Sequence, residues 1–294
     1  MLYRNGRTLL TGTSMPDSHP CTGVRLHAPH PALADYVACY WVSRSAGTSR
    51  HRVLPDGCVD LVCAWAGTAA ALRVHGSTTR PRELAVAPDG SYVGVRFRPG
   101  QARRFVEFPA ALLTDTDLAA EGAVPWAFAL RSLGPHGAGG PGAIDRALLA
   151  HLARRQVRRD AVDALLGWLA ASAETPARAG MAIDRLGRLA GTGPRQAERH
   201  WRAAVGLPME TFLGIQRVRR AARALRGTTL AIADVALRAG YADQSHLTRA
   251  TRRYLGATPG TLRRAEDVGI VQDGDAAMRE DAHTHTAYTR IHSL

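Results

Sequence analysis

The sequence predicts an α+β protein, with a small antiparallel β-barrel or sandwich in its N-terminal half and an all-α domain in its C-terminal half. Three observations lead to this fold class. Residues 21–100 contain short runs of β-branched and aromatic residues separated by Pro and Gly turns. Residues 161–265 instead show the apolar spacing of amphipathic helices. Within them, one pattern of two helices joined at a glycine occurs twice.

Length and composition are those of a two-domain protein. The chain has 294 residues, 46% of them hydrophobic, which is enough for two separate cores. No apolar run approaches the roughly 20 residues that span a bilayer, and Met1–Leu10 lacks the apolar segment of a signal peptide. The four cysteines are too few and too scattered for a disulfide framework. We therefore expect a cytoplasmic protein with no membrane partner.

Positive charge is concentrated toward the C-terminal domain. The net charge is +13. Residues 161–265 contain 17 Arg and 7 acidic residues, whereas residues 266–294 contain 2 Arg and 6 acidic residues. A basic domain is the electrostatic requirement for binding phosphate backbones. This distribution points to nucleic acid as a partner of residues 161–265.

The N-terminal half divides into a lead-in and a β-rich domain. Residues 1–20 are polar and are predicted to be a flexible lead-in. Residues 21–133 are predicted to form a sensory or dimerisation domain, with turns at Pro55–Gly57 and Asp89–Gly90. The predicted strands are Tyr36–Val42, Arg52–Leu54, Cys58–Val62 and Tyr92–Phe97, with weaker candidates at Leu72–His75 and Leu84–Val86. Short helices are predicted at Ala102–Phe108 and Trp126–Leu133.

Four aromatic residues of this domain are candidates for an effector pocket: Tyr40, Trp41, Trp65 and Phe97. They could line an apolar cavity for a small molecule. Aromatic residues in strands more often belong to an ordinary core. The sequence leaves both alternatives open.

Residues 134–160 are predicted to be a linker followed by a helix. Gly134–Gly142 is rich in Gly and Pro. Ile144–Arg155 then places Ile144, Ala147, Leu148 and Leu152 on one helix face. This face could form a dimer contact, or it could pack on its own β domain.

The pattern that organises the C-terminal domain lies at 231–259. Ile232, Val235, Ala236 and Ala239 follow the spacing of one helix face. Gly240 can adopt the positive φ that ends a helix, and Asp243 stands where the next helix needs an N-cap. That second helix extends to Gly256. Two short helices with a Gly turn make a helix-turn-helix, whose second helix can enter a DNA major groove.

The same unit occurs earlier, at 183–206. Gly191 precedes Gly240 by 49 positions, and Arg199 precedes Arg249 by 50, so the second copy has one more residue in its turn. A helix predicted over Pro208–Arg226 connects the copies and would be about 28 Å long. Successive major-groove faces lie about 34 Å apart. Such a helix can hold two recognition helices in neighbouring grooves.

The second copy contains a set of residues at fixed spacing: Ile232-Ala233, Ala236, Gly240-Tyr241, Ser245, Leu247, Arg249, Arg252, Gly256, Thr258-Pro259 and Arg263. In these residues it resembles the AraC/XylS family of transcription regulators. Thr251 departs from the pattern, since the family usually has a core Phe there. The first copy keeps a core aromatic at Trp201 but has Gly187 where Ala is usual and Gly193 where a Ser cap is common. Each of these two glycines should cost about 1 kcal/mol of helix or cap stability, which predicts that the first copy is the less stable of the two.

The resemblance implies a sequence-specific regulator of double-stranded promoter DNA that forms a homodimer. RNA polymerase and a small-molecule effector are further partners that the family suggests. Arg can bind guanine and Gln can bind adenine through two hydrogen bonds, whereas Arg252 and Arg253 suit phosphates better. Glu198 could accept from cytosine or could pair with Arg195 or Arg202. The predicted DNA-binding residues are Arg195, Gln196, Glu198, Arg199, Gln244, Ser245, His246, Thr248, Arg249, Arg252 and Arg253.

A second resemblance concerns the N-terminal half. Leu54–Val62 and Gly94–Gly100 are similar to an uncharacterised domain that is often fused to AraC-type DNA-binding domains. This resemblance implies a cupin-like sensory barrel.

Two enzymatic alternatives were weighed. An alkyl-accepting domain needs a zinc site of four cysteines, but the Cys spacings of 18, 19 and 5 residues contain no close pair. A metal cupin could use His27, His30, His51, His75, Asp56 and Asp60, but no close His pair falls on a predicted strand. The sequence therefore predicts no catalytic residue, no metal and no cofactor. Residues 266–294, with His283 and His285, are predicted to be a disordered tail without a metal site.

Overall fold

The fold was analysed on a computed structural model. It describes residues 21–45, 47, 49–67, 69–121, 124, 126–134, 140–172 and 178–264. The predicted lead-in at 1–20, the predicted tail at 266–294 and the centre of the Gly-rich linker at 135–139 lie outside these residues.

The N-terminal domain is an antiparallel β structure in two sheets. The larger sheet has the order β1-β2-β7-β4-β5-β8, and β3 pairs with β6 separately. The strands are β1 (Cys21–His27), β2 (Val37–Ser45), β3 (Ser49–Val53), β4 (Val59–Ala66), β5 (Ala69–His75), β6 (Arg82–Val86), β7 (Ser91–Phe97) and β8 (Asp117–Ala119). All six predicted strands are confirmed, including the two weaker candidates. The barrel is not closed, because β1 and β8 are the two edges of the larger sheet.

The larger sheet has two different faces because side chains alternate along each strand. Leu61, Cys63 and Trp65 of β4 point to a core shared with Phe105 and Trp126. The intervening residues of β4 face the β3–β6 pair instead. One face therefore carries the hydrophobic core, and the other faces a cavity beneath the smaller sheet.

The helices of this domain are shorter than predicted. The segment predicted as a helix at 102–108 forms only a 3-10 turn, Ala102–Arg104, and the side chains of Gln101 and Arg104 bind Asp163 of the next domain. The predicted helix Trp126–Leu133 is reduced to α1, Phe128–Arg131. Two further 3-10 helices lie at Pro31–Leu33 and Ala110–Leu113.

Helix α2 (Pro141–Arg155) packs on its own domain. Its Ile144 and Leu148 are fully buried against the sheet. Asp145 fixes the helix from the side, since its Oδ1 accepts hydrogen bonds from Tyr40 Oη at 2.7 Å and from the His30 amide at 2.9 Å. The apolar face predicted from the sequence is therefore used inside the chain rather than as the dimer contact.

The C-terminal domain is a helical array with one core. Its helices are α3 (Ala161–Ala171), α4 (Ala179–Ala190), α5 (Pro194–Val205), α6 (Met209–Gly227), α7 (Ile232–Arg238), α8 (Gln244–Leu255) and α9 (Pro259–Arg264). Trp201 and Phe212 pack edge to face at its centre, with ring centroids 5.1 Å apart. One face of α6 is apolar and buried along its length, at Met209, Phe212, Leu213, Val218, Ala221, Ala222 and Leu225.

A cluster of charged side chains ties the start of α3 to the N-terminal domain. Asp160 and Asp163 form a capping box on α3. Asp163 also accepts from Gln101 Nε2 at 2.9 Å and forms ion pairs with Arg103 and Arg104. Arg103 binds Asp160 as well, at 2.5 Å. Burial opposes ionisation of Asp160, but the bonds from Arg103 prevail and lower the pKa of its carboxyl.

The lowered pKa predicts an acid-sensitive domain contact. A carboxyl whose folded-state pKa is depressed contributes stability above its unfolded pKa of about 4, and that contribution is lost as pH falls through the folded value. We expect the unfolding midpoint of the wild type to fall more steeply than that of Asp160→Asn between about pH 5 and pH 3. Thermal unfolding across this range measures the difference. Asp35→Asn, which removes an exposed pair with Arg159, should keep the wild-type pH dependence; parallel curves for Asp160→Asn would contradict the assignment.

Candidate nucleic-acid interface

Both helix-turn-helix units form as the repeat predicts. The first consists of α4 and α5, and the second of α7 and α8. Gly191 and Gly240 adopt left-handed φ values of 62° and 80° between the helices. Asp243 is the N-cap of α8, with its Oδ1 accepting from the His246 amide at 2.6 Å. Gly193 occupies the same position for α5 without a side-chain cap, and Pro194 starts the helix.

The structure gives Gly187 a role that the sequence argument did not foresee. A Cβ at this position would lie 2.7 Å from the Thr192 carbonyl oxygen, so the turn occupies the space of the missing side chain. From the left-handed Gly to the N-cap there are three residues in the first unit and four in the second. The first unit therefore reaches its N-cap with one residue fewer. Gly187 therefore permits this turn, and its presence does not indicate that the first helix-turn-helix unit is less stable than the second.

Helix α5 presents three Arg side chains to solvent, of which Arg202 lies in its last turn. Arg195 and Arg199 are exposed, while Ala197 and Trp201 face the core. Gln196 Nε2 lies 2.7 Å from His200 Nε2, so the two side chains are mutual hydrogen-bond partners. Glu198 accepts from the Met209 amide at 3.2 Å, at the start of α6. Its carboxylate thus binds the first amide of the connecting helix, a contact that neither sequence-based alternative included.

Helix α8 has a clear division between an inner and an outer face. Leu247, Thr251 and Leu255 are buried. The outer face contains most of the predicted residues, with Gln244, Ser245, His246, Arg249, Arg252 and Arg253 exposed and Thr248 half-buried. Thr251 takes the place of the expected core Phe, and its hydroxyl donates to the Thr248 carbonyl at 3.1 Å. A buried hydroxyl is thereby satisfied without disturbing the outer face.

The outer face of α8 is supported by aromatic contacts. The His246 ring stands edge-on to Tyr241, with centroids 5.1 Å apart. The Arg253 guanidinium lies 5.1 Å from the centroid of the Tyr254 ring. Thr248 Oγ1 donates to the Gln244 carbonyl within the helix at 2.8 Å. These contacts restrict side-chain freedom on the face that would meet a ligand.

The connecting helix α6 adds positive charge between the two units. Its 19 residues give a length of about 28 Å at 1.5 Å per residue. Burial, together with the neighbouring Arg217 and Arg223, lowers the pKa of Arg220. Like charges this close are unfavourable to one another, and an anion nearby would relieve that repulsion.

The N-terminal domain contacts the C-terminal ends of both recognition helices. At the end of α5, Ser77 Oγ donates to the Val205 carbonyl at 3.3 Å, and Thr114 Oγ1 donates to the Gly206 carbonyl. At the end of α8, Arg52 Nη2 donates to the Leu255 carbonyl at 3.0 Å. The last carbonyls of a helix have no partner within it, and a cation there is favourable to the helix dipole. One domain thus fixes the ends of both helices.

The turn between β3 and β4 reaches α6. Gly57, with φ of 85°, lies against the Phe212 ring, which would be 2.8 Å from a Cβ at this position. Gln216 Nε2 donates to the Asp56 carbonyl at 2.9 Å. The turn predicted at Pro55–Gly57 therefore forms, and it is a contact between the two domains.

The aromatic residues predicted to line one effector pocket lie on opposite faces of the sheet. Trp41 faces the cavity beneath the β3–β6 pair. Tyr40, Trp65 and Phe97 belong to the helix-side core. Tyr40 and Trp41 are consecutive in β2 and must point to opposite faces. The adjacency of Tyr40 and Trp41 in the sequence therefore already excluded one pocket lined by both side chains. Three of the four residues belong to the hydrophobic core.

The candidate metal ligands serve other roles. Arg96 forms a buried ion pair with Asp56 and a second with Asp60 at 2.8 Å. Burial lowers the pKa of both His51 and His75. Within the described ranges, no three His, Cys, Asp or Glu residues lie close enough together to hold a metal ion. No helix in the same ranges is both long and apolar enough to cross a membrane.

Comparison with known proteins finds two matches, one in each domain. Residues 25–119 match a domain of unknown function (DUF6597), and residues 186–265 match a helix-turn-helix domain. The second match contains both units described above from the last turn of α4 onward. Residues 186–265 are therefore a helix-turn-helix domain of the AraC type.

Two curated relatives share this region. The HTH-type transcriptional regulator GlxA of Rhizobium meliloti (strain 1021) is 36% identical over 85 residues, which cover 28% of this chain and 26% of that protein. The HTH-type transcriptional activator AarP of Providencia stuartii is 28% identical over 89 residues, covering 30% of this chain and 65% of that protein. The chain thus spans less than two thirds of the length of either.

Solved structures with detectable similarity include one of AdpA and one of ToxT. The DNA-binding domain of AdpA, in complex with a target DNA, is 24% identical and covers 36% of this chain and 91% of that chain, with a TM-score of 0.32. ToxT from Vibrio cholerae is 10% identical and covers 78% of this chain and 98% of that chain, with a TM-score of 0.40.

The contact at Gly187 predicts a reversal of the usual preference for Ala in helices. We expect Gly187→Ala to destabilise the protein by about 1–3 kcal/mol, because the added Cβ must displace a backbone carbonyl. Gly167→Ala in α3, where no atom lies within 4 Å of the new Cβ, should instead stabilise by about 0.5–1 kcal/mol. Urea unfolding midpoints test both. If the Gly187→Ala protein is as stable as Gly167→Ala, the turn can move enough to accommodate the added Cβ, and the prediction is wrong.

Proposed function

We propose that this protein is a transcription regulator that binds double-stranded promoter DNA through α5 and α8. The observation that carries the proposal is the pair of recognition helices, each with exposed polar residues on one face and its other face in a common core. The AraC-type match over residues 186–265 supports the same conclusion. The connecting helix α6, about 28 Å long, suits neighbouring grooves about 34 Å apart.

The set of residues that we assign to base contacts is smaller than the set predicted from the sequence. Arg195 and Arg199 on α5 and Gln244, His246 and Arg249 on α8 are exposed and suited to base edges. Ser245 and Thr248 are shorter and contribute hydrogen bonds at close approach. Arg252 and Arg253, further along α8, are assigned to phosphates. Glu198 is left out because it binds the first amide of α6.

Selection of bound DNA from a random pool tests the proposal as a whole. We expect enrichment of one site with two conserved segments about one helical turn apart, one for each recognition helix. Log-linear loss of affinity with salt should accompany it, with a slope set by the phosphates neutralised. Failure to enrich any sequence, with the protein folded, would contradict the proposal.

Arg249 distinguishes base contact from phosphate contact. We expect Arg249→Ala to lose about 1–3 kcal/mol of affinity for the selected site and much less for random DNA. Arg252→Ala is the matched comparison on the same helix and should weaken binding to both DNAs alike. Arg155→Ala, on α2 of the N-terminal domain, is the control and should change neither. Equal losses on both DNAs for Arg249→Ala would reassign this residue to the backbone.

We further propose that the N-terminal domain controls DNA binding through its contacts with the recognition helices. Arg52 is the sharpest test, since its guanidinium binds the last carbonyl of α8. Its loss leaves the end of α8 less fixed, and a hydrogen bond from a charged group contributes about 1.5–3 kcal/mol. We expect Arg52→Ala to reduce affinity for the selected site roughly tenfold at constant salt. Arg50→Ala on the same strand removes only an exposed pair with Glu83 and should leave the affinity for the selected site unchanged. Equal affinities of the two variants would contradict control of DNA binding through the Arg52 contact.

The remaining partners follow from this proposal. We propose a homodimer that places two readers on adjacent sites, contact with RNA polymerase at the promoter, and a cytoplasmic location where both are present. Light scattering of the full chain, alone and on the selected DNA, tests the dimer. A single mass of one chain per DNA site under all conditions would exclude it.

An enzymatic N-terminal domain is the alternative. Burial raises the pKa of the Cys63 thiol to about 11, so this residue is protonated and a poor nucleophile at neutral pH. Cys39 is also a buried thiol. Asp56 and Asp60 are engaged by Arg96. These observations favour the regulator, and stoichiometric zinc in the purified protein would favour the enzyme.

A further inference from the structure

The cavity beneath the smaller sheet has the dimensions of a small-molecule site. It lies between the outer face of the larger sheet and the β3–β6 pair, and its volume is about 380 Å³. Binding sites for small molecules typically measure about 300–1,000 Å³ and are lined mostly by apolar groups with a few placed polar ones. Val53, Val62 and Leu84 supply apolar walls here.

The floor of the cavity is an aromatic surface. A Cβ on Gly94 would lie 2.1 Å from the Trp41 indole, so this ring covers the glycine of the neighbouring strand. Trp41 Nε1 donates to Asp60 Oδ1 at 3.0 Å, which fixes the orientation of the ring. The indole is only half-buried. A fixed ring with one face open to a cavity is a stacking surface for a flat molecule.

Charged groups around the floor compensate one another. Arg96 is paired with Asp56 and Asp60, and Arg73 is paired with Asp117. Burial raises the pKa of Asp60 to about 7, although the Trp41 bond acts in the opposite direction. Burial lowers the pKa of both His51 and His75. The further cation Arg82 stands on the smaller sheet, across the cavity from Trp41. A cation stacked on Trp41 would therefore lose its hydration without gaining an unpaired carboxylate. An anion stacked there would lie across the cavity from Arg82.

One polar side chain in the cavity wall awaits a partner. Thr78 is 5% exposed and lines the cavity, and its Oγ1 has no hydrogen-bond partner among the described residues. A buried hydroxyl without a partner costs about 1–3 kcal/mol. A ligand with one hydroxyl, carbonyl or ring nitrogen at this position would remove that cost.

We infer that this cavity binds an uncharged, flat aromatic molecule of about two fused rings, stacked on Trp41 and hydrogen-bonded to Thr78 Oγ1. Residues that line the site are neighbours in the chain of residues that bind the helix-turn-helix domain. Arg52, which binds the end of α8, lies between the cavity residues His51 and Val53. Ser77, which binds the end of α5, precedes Thr78. The regulatory part of this inference, that occupancy changes DNA affinity, rests on the proposed function; the binding part does not.

Calorimetry of the full chain with three matched probes tests the ligand class. The probes are 2-naphthol, 2-naphthoate and 2-(aminomethyl)naphthalene, which share one ring system and differ in charge. We expect 2-naphthol to bind at least tenfold more tightly than either charged probe. Equal or tighter binding of 2-naphthoate would overturn the assignment in favour of an anion site at Arg82.

Matched variants locate the site. Leu84→Trp fills the cavity from β6 and should weaken 2-naphthol binding at least tenfold. Glu83→Trp adds the same ring one residue away on the outer face of β6 and should leave binding unchanged. Thr78→Val guards against misfolding of the larger variant. Because the hydroxyl has no protein partner, the Val protein should be at least as stable as the wild type, yet bind 2-naphthol several-fold more weakly. Unchanged binding in both Leu84→Trp and Thr78→Val would place the probe elsewhere and overturn the proposal.

A DNA-binding measurement separates this proposal from the previous one. We expect saturating 2-naphthol to change the Kd for the selected DNA at least threefold in the wild type and in Glu83→Trp, but not in Leu84→Trp. No change in the wild type would overturn the regulatory part. Binding of 2-naphthol by a protein that binds no DNA would support the cavity and contradict the proposed function, whereas DNA binding without any binding of 2-naphthol would do the reverse.

Discussion

The ion pairs of Arg96 with Asp56 and Asp60 hold together the part of the molecule on which both domains depend. Asp60 and Arg96 face each other across β4 and β7, whereas Asp56 belongs to the turn before β4. A buried guanidinium is tolerable only when carboxylates and hydrogen bonds surround it, so the turn cannot leave without exposing an uncompensated charge. The same turn places Gly57 on Phe212 and the Asp56 carbonyl on Gln216. An electrostatic requirement inside the sheet thus fixes a contact on the connecting helix of the DNA reader.

The duplicated reader shows how one residue in a turn changes what a neighbouring helix can contain. Thr192 and Tyr241 both donate their amides to the carbonyl five residues before them, at 2.9 Å in each unit. Only the first unit must then reach its N-cap with one residue fewer, which brings the Thr192 carbonyl onto α4. Gly187 is the residue that leaves space for it, whereas the second unit keeps Ala236 at the equivalent position. A helix propensity considered alone assigns the glycine a cost; the packing of the turn explains why it is there.

The sequence predicted those features that depend on local pattern. Alternation predicted the six strands, and glycine spacing together with Asp243 predicted α7, α8 and the repeat. The edge strands β1 and β8 were not predicted, since β8 has three residues and neither carries a strong alternation. The contacts of Arg52 with Leu255 and of Ser77 with Val205 could not be predicted, because the partners are 203 and 128 positions apart and each acceptor is a backbone carbonyl, which every residue has. The role of Glu198 was missed for the same reason, since its partner is the Met209 amide.

The contacts between the two domains are weak enough, in free energy, for a ligand to change them and so to control DNA binding. Hydrogen bonds at helix ends contribute individually about 0.5–3 kcal/mol, depending on charge, and three or four of them define the position of the recognition helices. A ligand can shift such an arrangement only by its difference in affinity between two states, and about 1.4 kcal/mol already changes a population tenfold. Stacking on Trp41 and pairing of the Thr78 hydroxyl are interactions of this magnitude. Since Arg52 and Ser77 are covalent neighbours of residues that line the cavity, a displacement of the wall by less than the length of a hydrogen bond is enough to weaken one contact and leave the core of each domain intact.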